Sequence, residues 1–268
     1  MAEYKLGPNG GMLYCADFLL ANLQWLTDKI ETKLLSEDCR YFVFDLPGQT
    51  ELYTNHDALK QILTRLEKEH NFRMVAVHMI DASYLYDRHK FLSAMTLSLT
   101  SLIGIEIPFV NLVTKLDLLQ RMGRPDMNLM FYQGTTQGLK YLFFPEFDLV
   151  EHGPGTQKVS RFTEKFSLMT KNLCELLETY SQVSFNLVDI REQMSMSHAI
   201  MKIDKANQFF QQQARLSNPK ETHLDYEAIE QYYFSSEAVM DLEEKYFDRE
   251  GSDNSQNQEQ EQDQQMES

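Results

Sequence analysis

Four short runs rich in apolar and β-branched residues set the frame for this chain: Tyr41 to Leu46 (YFVFDL), Met74 to Asp81 (MVAVHMID), Pro108 to Thr114 (PFVNLVT) and Val183 to Asp189 (VSFNLVD). Each is apolar nearly throughout, the pattern of a strand covered on both faces. Longer segments of helical period separate them. Met12, Ala16, Leu19, Leu23, Leu26, Ile30 and Leu34 recur at three and four residues, and Leu52, Leu59, Ile62, Leu63 and Leu66 follow suit. Phe91, Met95, Leu99 and Leu102 repeat the pattern, and so do Phe162, Phe166, Met169, Leu173, Leu177 and Tyr180. Strands alternating with helices of this length predict an α/β fold with a mostly parallel sheet flanked by helices.

Three regions depart from that rhythm. Arg121 to Gly155 is rich in Met, Gly and aromatics, with Pro125, Pro145 and Pro154 as breakers, and reads as an insertion with one or two short helices, an effector or lid surface. Gln193 to Leu216 predicts a final helix of the body, and Asp225 to Phe247 a further one with an acidic face. Residues 250–268 (EGSDNSQNQEQEQDQQMES) hold no aromatic and no branched aliphatic residue, so they lack the apolar surface that would offset the entropy of ordering. The expected organisation is an α/β body over 1–216, an acidic helical extension over 217–249 and a disordered Gln-rich tail over 250–268.

Charge follows the same division. Residues 219–268 carry 15 acidic and 3 basic groups of the 40 and 25 in the whole chain, so −12 of the net −15 lies there. A nearly neutral body without a basic stripe argues against direct nucleic-acid binding, which needs cations to displace phosphate counterions. No apolar run approaches the roughly 20 residues that span a bilayer, and the start, MAEYKLGPNGG, lacks the charged-then-apolar build of a signal peptide. The expectation is a cytoplasmic protein with no membrane partner. Cys15, Cys39 and Cys174 are far apart, and the seven histidines show no metal-ligand spacing, so neither a disulfide framework nor a zinc site is expected. The 14 methionines follow helical periods and read as packing residues.

Chemistry gathers where the runs end. Asp45-Leu46-Pro47-Gly48-Gln49 closes the first of them. A carboxylate at a strand's C-terminal edge can serve Mg²⁺ directly or through water, and the glycine lets its N–H approach a phosphate. Gln49 then stands where an amide, with one acceptor and one NH₂ donor, can orient an attacking water. Taken alone, the pentapeptide equally describes a turn built on Pro and Gly. Thr114-Lys115-Leu116-Asp117 closes the third run. A carboxylate there can accept from both N1–H and the 2-amino group of guanine, a match adenine lacks, while the Lys stem covers the base. By itself T-K-x-D also fits two ordinary surface residues after a strand. Gly7-Pro8-Asn9-Gly10-Gly11 opens the helix from Met12, and free N–H groups at a helix start, with glycines beside them, suit an anion. Alone it reads as a capped Gly-Pro turn. The order of these elements, with Ser184 at the fourth run, is that of guanine-nucleotide-binding P-loop proteins.

With its flanks the third motif carries a resemblance. Leu6-Gly7-Pro8-Asn9-Gly10-Gly11, Leu13-Tyr14-Cys15, Ala21-Asn22-Leu23-Gln24-Trp25-Leu26 and DLPGQTELYT at 45–54 closely resemble the GPN-loop GTPases, over roughly residues 4–210. The resemblance implies a P-loop NTPase-like fold, homodimers or paralogue heterodimers, and hydrolysis of GTP with Mg²⁺. It implies a role in assembly and nuclear import of RNA polymerase II, and of polymerase III, through polymerase subunits or assembly factors, with shuttling to the nucleus. Carried over by position, Asp45 serves Mg²⁺, Gly48 the γ-phosphate and Gln49 the water. Asn9, with Gly7 and Pro8, enters the phosphate pocket in trans. Thr114, Lys115 and Asp117 form the guanine motif, and Ser184 approaches O6 through its backbone.

The chain departs from that family in one large respect. A P-loop needs G-x-x-x-x-G-K-[ST], yet none of the 11 glycines is followed by lysine. In the family that motif, its strand and its helix precede the GPN loop, and six residues stand before Gly7 here. The expectation is an N-terminally incomplete fold, through an incomplete gene model or downstream start, a truncated product kept as a partner-binding subunit, or another phosphate-binding loop in cis. Smaller departures are Thr114 in place of the usual Asn, and Asn186-Leu187 where a proline is commoner.

Overall fold

The computed structural model describes residues 6–37, 41–123, 125, 127–133, 139, 143, 161–180, 183–209, 229, 231–233 and 237–247. The chain separates into two compact units, Met1–Ala76 with Thr100–Pro108, and Val77–Leu99 with Phe109–Ser268.

The first unit is helical. It holds α1 (Pro8–Ala21), α2 (Leu23–Glu37), the single turn α3 (Glu51–Thr54) and α4 (Asp57–His70). α4 shows why these residues form a helix. Ala58, Leu59, Ile62 and Leu66 fall on one buried stripe, His56 Nδ1 caps the start by accepting from Ala58 N at 3.4 Å, and Asn71 ends it in the left-handed region at φ 56°. Asp57 in the first turn and Lys68 in the last suit the helix dipole. Leu23, Ile62 and Leu66 form the core, with Leu19, Leu20, Leu26, Phe72 and Met74 packed against them.

Two expectations are corrected in this unit. The helical period from Met12 to Leu34 is one stripe in the sequence but two helices in the fold, because Asn22 leaves helical geometry (φ −115°, ψ 34°) and its Nδ2 donates to the Phe18 carbonyl at 2.8 Å. Tyr41 to Leu46 is not a strand. No ladder forms there, Val43 is 85% exposed, and Tyr41, Phe44 and Leu46 are exposed as well. Among the described residues of this unit no strand lies alongside to bond its backbone, and an apolar run without a ladder partner has nothing to hold it extended.

α5 (Arg88–Ile105) contributes its last turns to the first unit. There a Cβ built on Gly104 would meet the Tyr53 carbonyl oxygen of α3 at 2.6 Å. Backbone cannot yield as a flexible side chain does. Gly104→Ala is therefore expected to destabilise by about 1–3 kcal/mol, the usual cost of overpacking. Urea denaturation checks this, and an unchanged midpoint would show that the helix slides at little cost.

The second unit carries the sheet. β1 (Ala76–Asp81), β2 (Phe109–Thr114) and β3 (Phe185–Leu187) lie parallel in the order β1-β2-β3, with Asn111 opposite Phe185, Leu112 opposite Asn186 and Val113 opposite Leu187. The fold class is thus the α/β, P-loop NTPase-like sheet flanked by helices that the sequence predicts. β2 is central and its interior is buried, whereas β1 leaves Val77 and Met79 exposed, so β1 is covered on one face and not on both as expected. The core gathers Ile80, Leu85, Phe91, Met95, Val113, Leu116, Leu119, Leu177, Phe185 and Leu187, with others.

One buried amide links the strands. Asn111 Oδ1 accepts from Ser98 of α5 and lies 3.2 Å from His78 Nδ1 of β1, and its Nδ2 donates at 3.2 Å to the carbonyl of Ser184, just before β3. Burial holds the His78 pKa below the ordinary imidazole value, although its bond to Asn111 works the other way.

Further helices among the described residues include α6 (Leu119–Met122), α7 (Leu129–Gln133), α8 (Arg161–Thr179), α9 (Gln193–Ala206) and α10 (Glu237–Phe247). α7 is a short helix inside the insertion expected over Arg121 to Gly155, whereas α6 starts before it, at Leu119; most of that insertion, residues 210–216 and the 250–268 tail lie outside the described residues. α10 is part of the helix expected over 225–247. It is no solvated appendage, for Val239, Leu242 and Tyr246 belong to the main core cluster.

Candidate functional site

In the first unit the GPN residues open α1. Gly7 is the N-cap in extended backbone, its carbonyl accepting from Gly11 N at 2.8 Å, and Pro8 takes the first helical position, where a missing N–H costs nothing. Asn9 follows on the first turn and is exposed. Forty residues on, Gln49 reaches back to it: Gln49 Nε2 donates to Asn9 Oδ1 at 3.0 Å. Two candidates chosen from separate motifs are therefore in direct contact. An amide that spends one N–H on Asn9 keeps its second N–H and its carbonyl for a water or a phosphoryl oxygen. Asp45 and Gly48 are exposed on the segment before Gln49, and the Tyr53 hydroxyl donates to the Pro47 carbonyl, bracing the turn. Burial, then the Asp45 charge, raises the Tyr53 pKa, so the hydroxyl stays a donor.

In the second unit the T-K-x-D motif leaves β2. Thr114 Oγ1 donates to the Ile80 carbonyl at 3.2 Å, tying the ends of β1 and β2. Lys115 turns the chain in the left-handed region (φ 60°, ψ 43°), and Asp117 then lies in a 3₁₀ turn, Leu116–Leu118, anchored by buried Leu116. Lys115 Nζ bonds Asp81 Oδ2 at 2.9 Å, and Asp117 Oδ2 lies 3.8 Å from Arg191. Burial disfavours the Asp81 charge, but Lys115 and the Ser83 N–H more than offset it and hold that carboxyl below its usual range.

Ser184 is not brought to this group. It precedes β3, and the register sets Phe185 beside Asn111 and Leu187 beside Val113, so Ser184 stands at the opposite end of the sheet from Thr114. Its carbonyl is bonded to Asn111. The residues that reach the Asp117 edge are Asp189 and Arg191. Asp189 is the polar end of the fourth run and Arg191 lies two residues beyond it, and only a strand register chooses between that run's start and its finish.

Asp189 is buried and heavily bonded. Its Oδ2 accepts from Lys245 Nζ and from the Tyr246 hydroxyl, each at 2.5 Å, its Oδ1 accepts from Arg191 N at 2.9 Å, and its own N–H donates to Ser195 Oγ at 2.9 Å. Burial alone would raise its pKa, yet these bonds, Lys245 foremost, bring it below the ordinary 3.8. A carboxyl depressed in the fold contributes stability that is complete above the unfolded pKa and is lost as pH falls through the folded one. Thermal midpoints of the wild type and Asp189→Asn should differ near neutral pH and converge as the pH drops below 3.8. Parallel curves over that range would remove the Asp189 charge from the account.

A family model described as "Conserved hypothetical ATP binding protein" matches residues 1–209. GPN-loop GTPase 2 of Danio rerio is 40% identical over 207 residues, 77% of this chain and 61% of that protein. The chain belongs to the GPN-loop GTPase family. GPN-loop GTPase QQT1 of Arabidopsis thaliana is 38% identical over 77% of this chain and 64% of its own length, and GPN-loop GTPase 2 of Xenopus tropicalis 34% over 78% and 63%. The chain thus spans under two thirds of the length of these GPN-loop GTPases. No solved structure matches it.

For a GPN-loop GTPase the metal question falls on Asp45. Among the described residues no group of three or more His, Cys, Asp or Glu gathers to hold an ion. Mg²⁺ is ordinarily held by one or two carboxylates together with substrate phosphates. A lone exposed Asp45 therefore fits only as a ligand to an ion that arrives with a nucleotide. Among the described residues no helix is long and apolar enough to cross a membrane.

Proposed function

We propose that this chain binds guanine nucleotide and acts in GTP hydrolysis as a GPN-loop GTPase, with Asp117 and Lys115 reading the base. The observation that carries the reading is the contact between Asn9 and Gln49, which joins the GPN motif to the D-x-P-G-Q motif. A tethered amide orients water better than a free one, since its rotamer is already fixed. In this reading Gly7, Pro8 and Asn9 serve the phosphate pocket of a paralogue or second copy, Gly48 approaches the γ-phosphate, and Asp45 helps hold Mg²⁺, whose charge offsets that of the phosphates. The same reading places the chain in assembly and nuclear import of RNA polymerase II and III, from the cytoplasm, on the strength of the motif resemblance.

A second reading is an interaction module that binds a paralogue or assembly factors without turning over GTP. Exposed Trp25, Val43, Phe44 and Leu46 in the first unit favour it. Displacement of a fluescent-labelled guanine nucleotide, with Mg²⁺ present, separates the two. Competition by GTP and GDP but not by ATP supports the first reading. Equal competition by ATP would favour the adenine chemistry of the family model's description, and no binding by a folded chain leaves the module.

A further inference from the structure

α10 holds both segments that border the base-reading edge. On one side Lys245 and Tyr246 grip Asp189, two residues from Arg191, which faces Asp117. On the other side the Lys245 carbonyl accepts from Gln120 Nε2 at 3.3 Å, and Gln120 lies on α6, which continues directly from the 3₁₀ turn carrying Asp117. A third bond, from Leu129 N to Glu243 Oε1 at 2.5 Å, fixes α10 to α7. Buried Val239, Leu242 and Tyr246 supply the packing beneath these contacts.

We propose that Lys245 and Tyr246 are positioning residues for guanine recognition, holding the Asp189–Arg191 loop and the Asp117 turn in register from α10. The inference rests on the reading of Asp117 as the base acceptor. Past the bond from Val188 N to the Val113 carbonyl at 2.8 Å, the direct tie between these two segments among the described residues is the Arg191–Asp117 pair. That pair is 3.8 Å long with Arg191 largely exposed, and such surface pairs contribute little. The buried Asp189 clamp is the stiffer tie, because a carboxylate removed from water keeps its geometry only while its donors are in place.

The test uses the full chain and fluorescent GDP, with inosine diphosphate as the comparison, since that base keeps N1–H and lacks the 2-amino group. Lys245→Met with Tyr246→Phe should lower GDP affinity about tenfold, the scale on which loss of a supporting contact is felt at a built site. It should also shrink the preference for GDP over inosine diphosphate towards unity and raise amide exchange at residues 189–192. A merely structural role would lower both affinities alike and leave their ratio untouched, which overturns the proposal. Tyr246→Phe alone keeps the buried ring and gives a second, milder variant, and Lys245→Arg should restore the ratio. Unchanged exchange at 189–192 in either variant also overturns it. If the wild type binds no guanine nucleotide and Asp117→Ala behaves identically, the base reading itself falls and the proposal with it; binding lost in Asp117→Ala but unmoved by the α10 variants removes the proposal alone.

Discussion

Phe185→Ala is expected to lower the unfolding free energy by about 3–5 kcal/mol, the range for removing a buried aromatic ring. Phe185 is 1% exposed, pairs with Asn111 across the β2–β3 ladder, and sets its ring 5.7 Å from that of Phe91 on α5. Phe91 in turn meets Tyr132 of α7 edge-on at 4.8 Å. Truncation therefore opens a void where a strand and two helices meet, and such a void is filled only if all three shift. Urea unfolding should show a lower midpoint with an unchanged slope, the mark of lost stability without a change in compactness. A loss under about 1 kcal/mol would mean that β3 is no core strand.

Asp117→Ala is expected to weaken guanine-nucleotide binding at least about 100-fold. A site built to hydrogen-bond a polar group discriminates by far more when the bond is lost, but Asp117 is partly exposed and water can substitute in part. The fold should not suffer, because the partner left behind, Arg191, is itself largely exposed and returns to solvent. Fluorescence titration of GDP checks the affinity, with circular dichroism and the thermal midpoint as controls. Affinity within threefold of the wild type would remove Asp117 as the base acceptor.

Strands in the second unit were legible because β2 is apolar over Phe109–Thr114 and lies between two neighbours. Composition then states burial directly. Tyr41 to Leu46 is as apolar but lacks a ladder partner among the described residues, and a ladder is a property of two segments that one segment cannot announce. At Asn22 the helical period ran straight on, since periodicity records which residues face inward and says nothing of a side chain that bonds its own backbone. The candidate residues divide in the same way. Asn9, Gln49, Lys115 and Asp117 belong to compact motifs with short spacings. Asp189 is bonded to Lys245 and Tyr246 more than 50 residues away, and no local pattern marks such a partner.

The Asn111 amide has a consequence for how the sheet assembles. A one-residue slide of a strand turns its side chains to the opposite face, and here it would break polar bonds as well. A slide of β3 would carry the Ser184 carbonyl away from Asn111 Nδ2, and the Asn186 Nδ2 bond to the Asn111 carbonyl at 3.1 Å would part with it. Each group stranded in the interior costs about 1–3 kcal/mol, so a misaligned sheet is rejected by its polar atoms as well as by its oily ones. The buried amide works as a proof-reader of alignment, and the edge that presents Asp117 and Asp189 inherits its accuracy from a residue that faces neither.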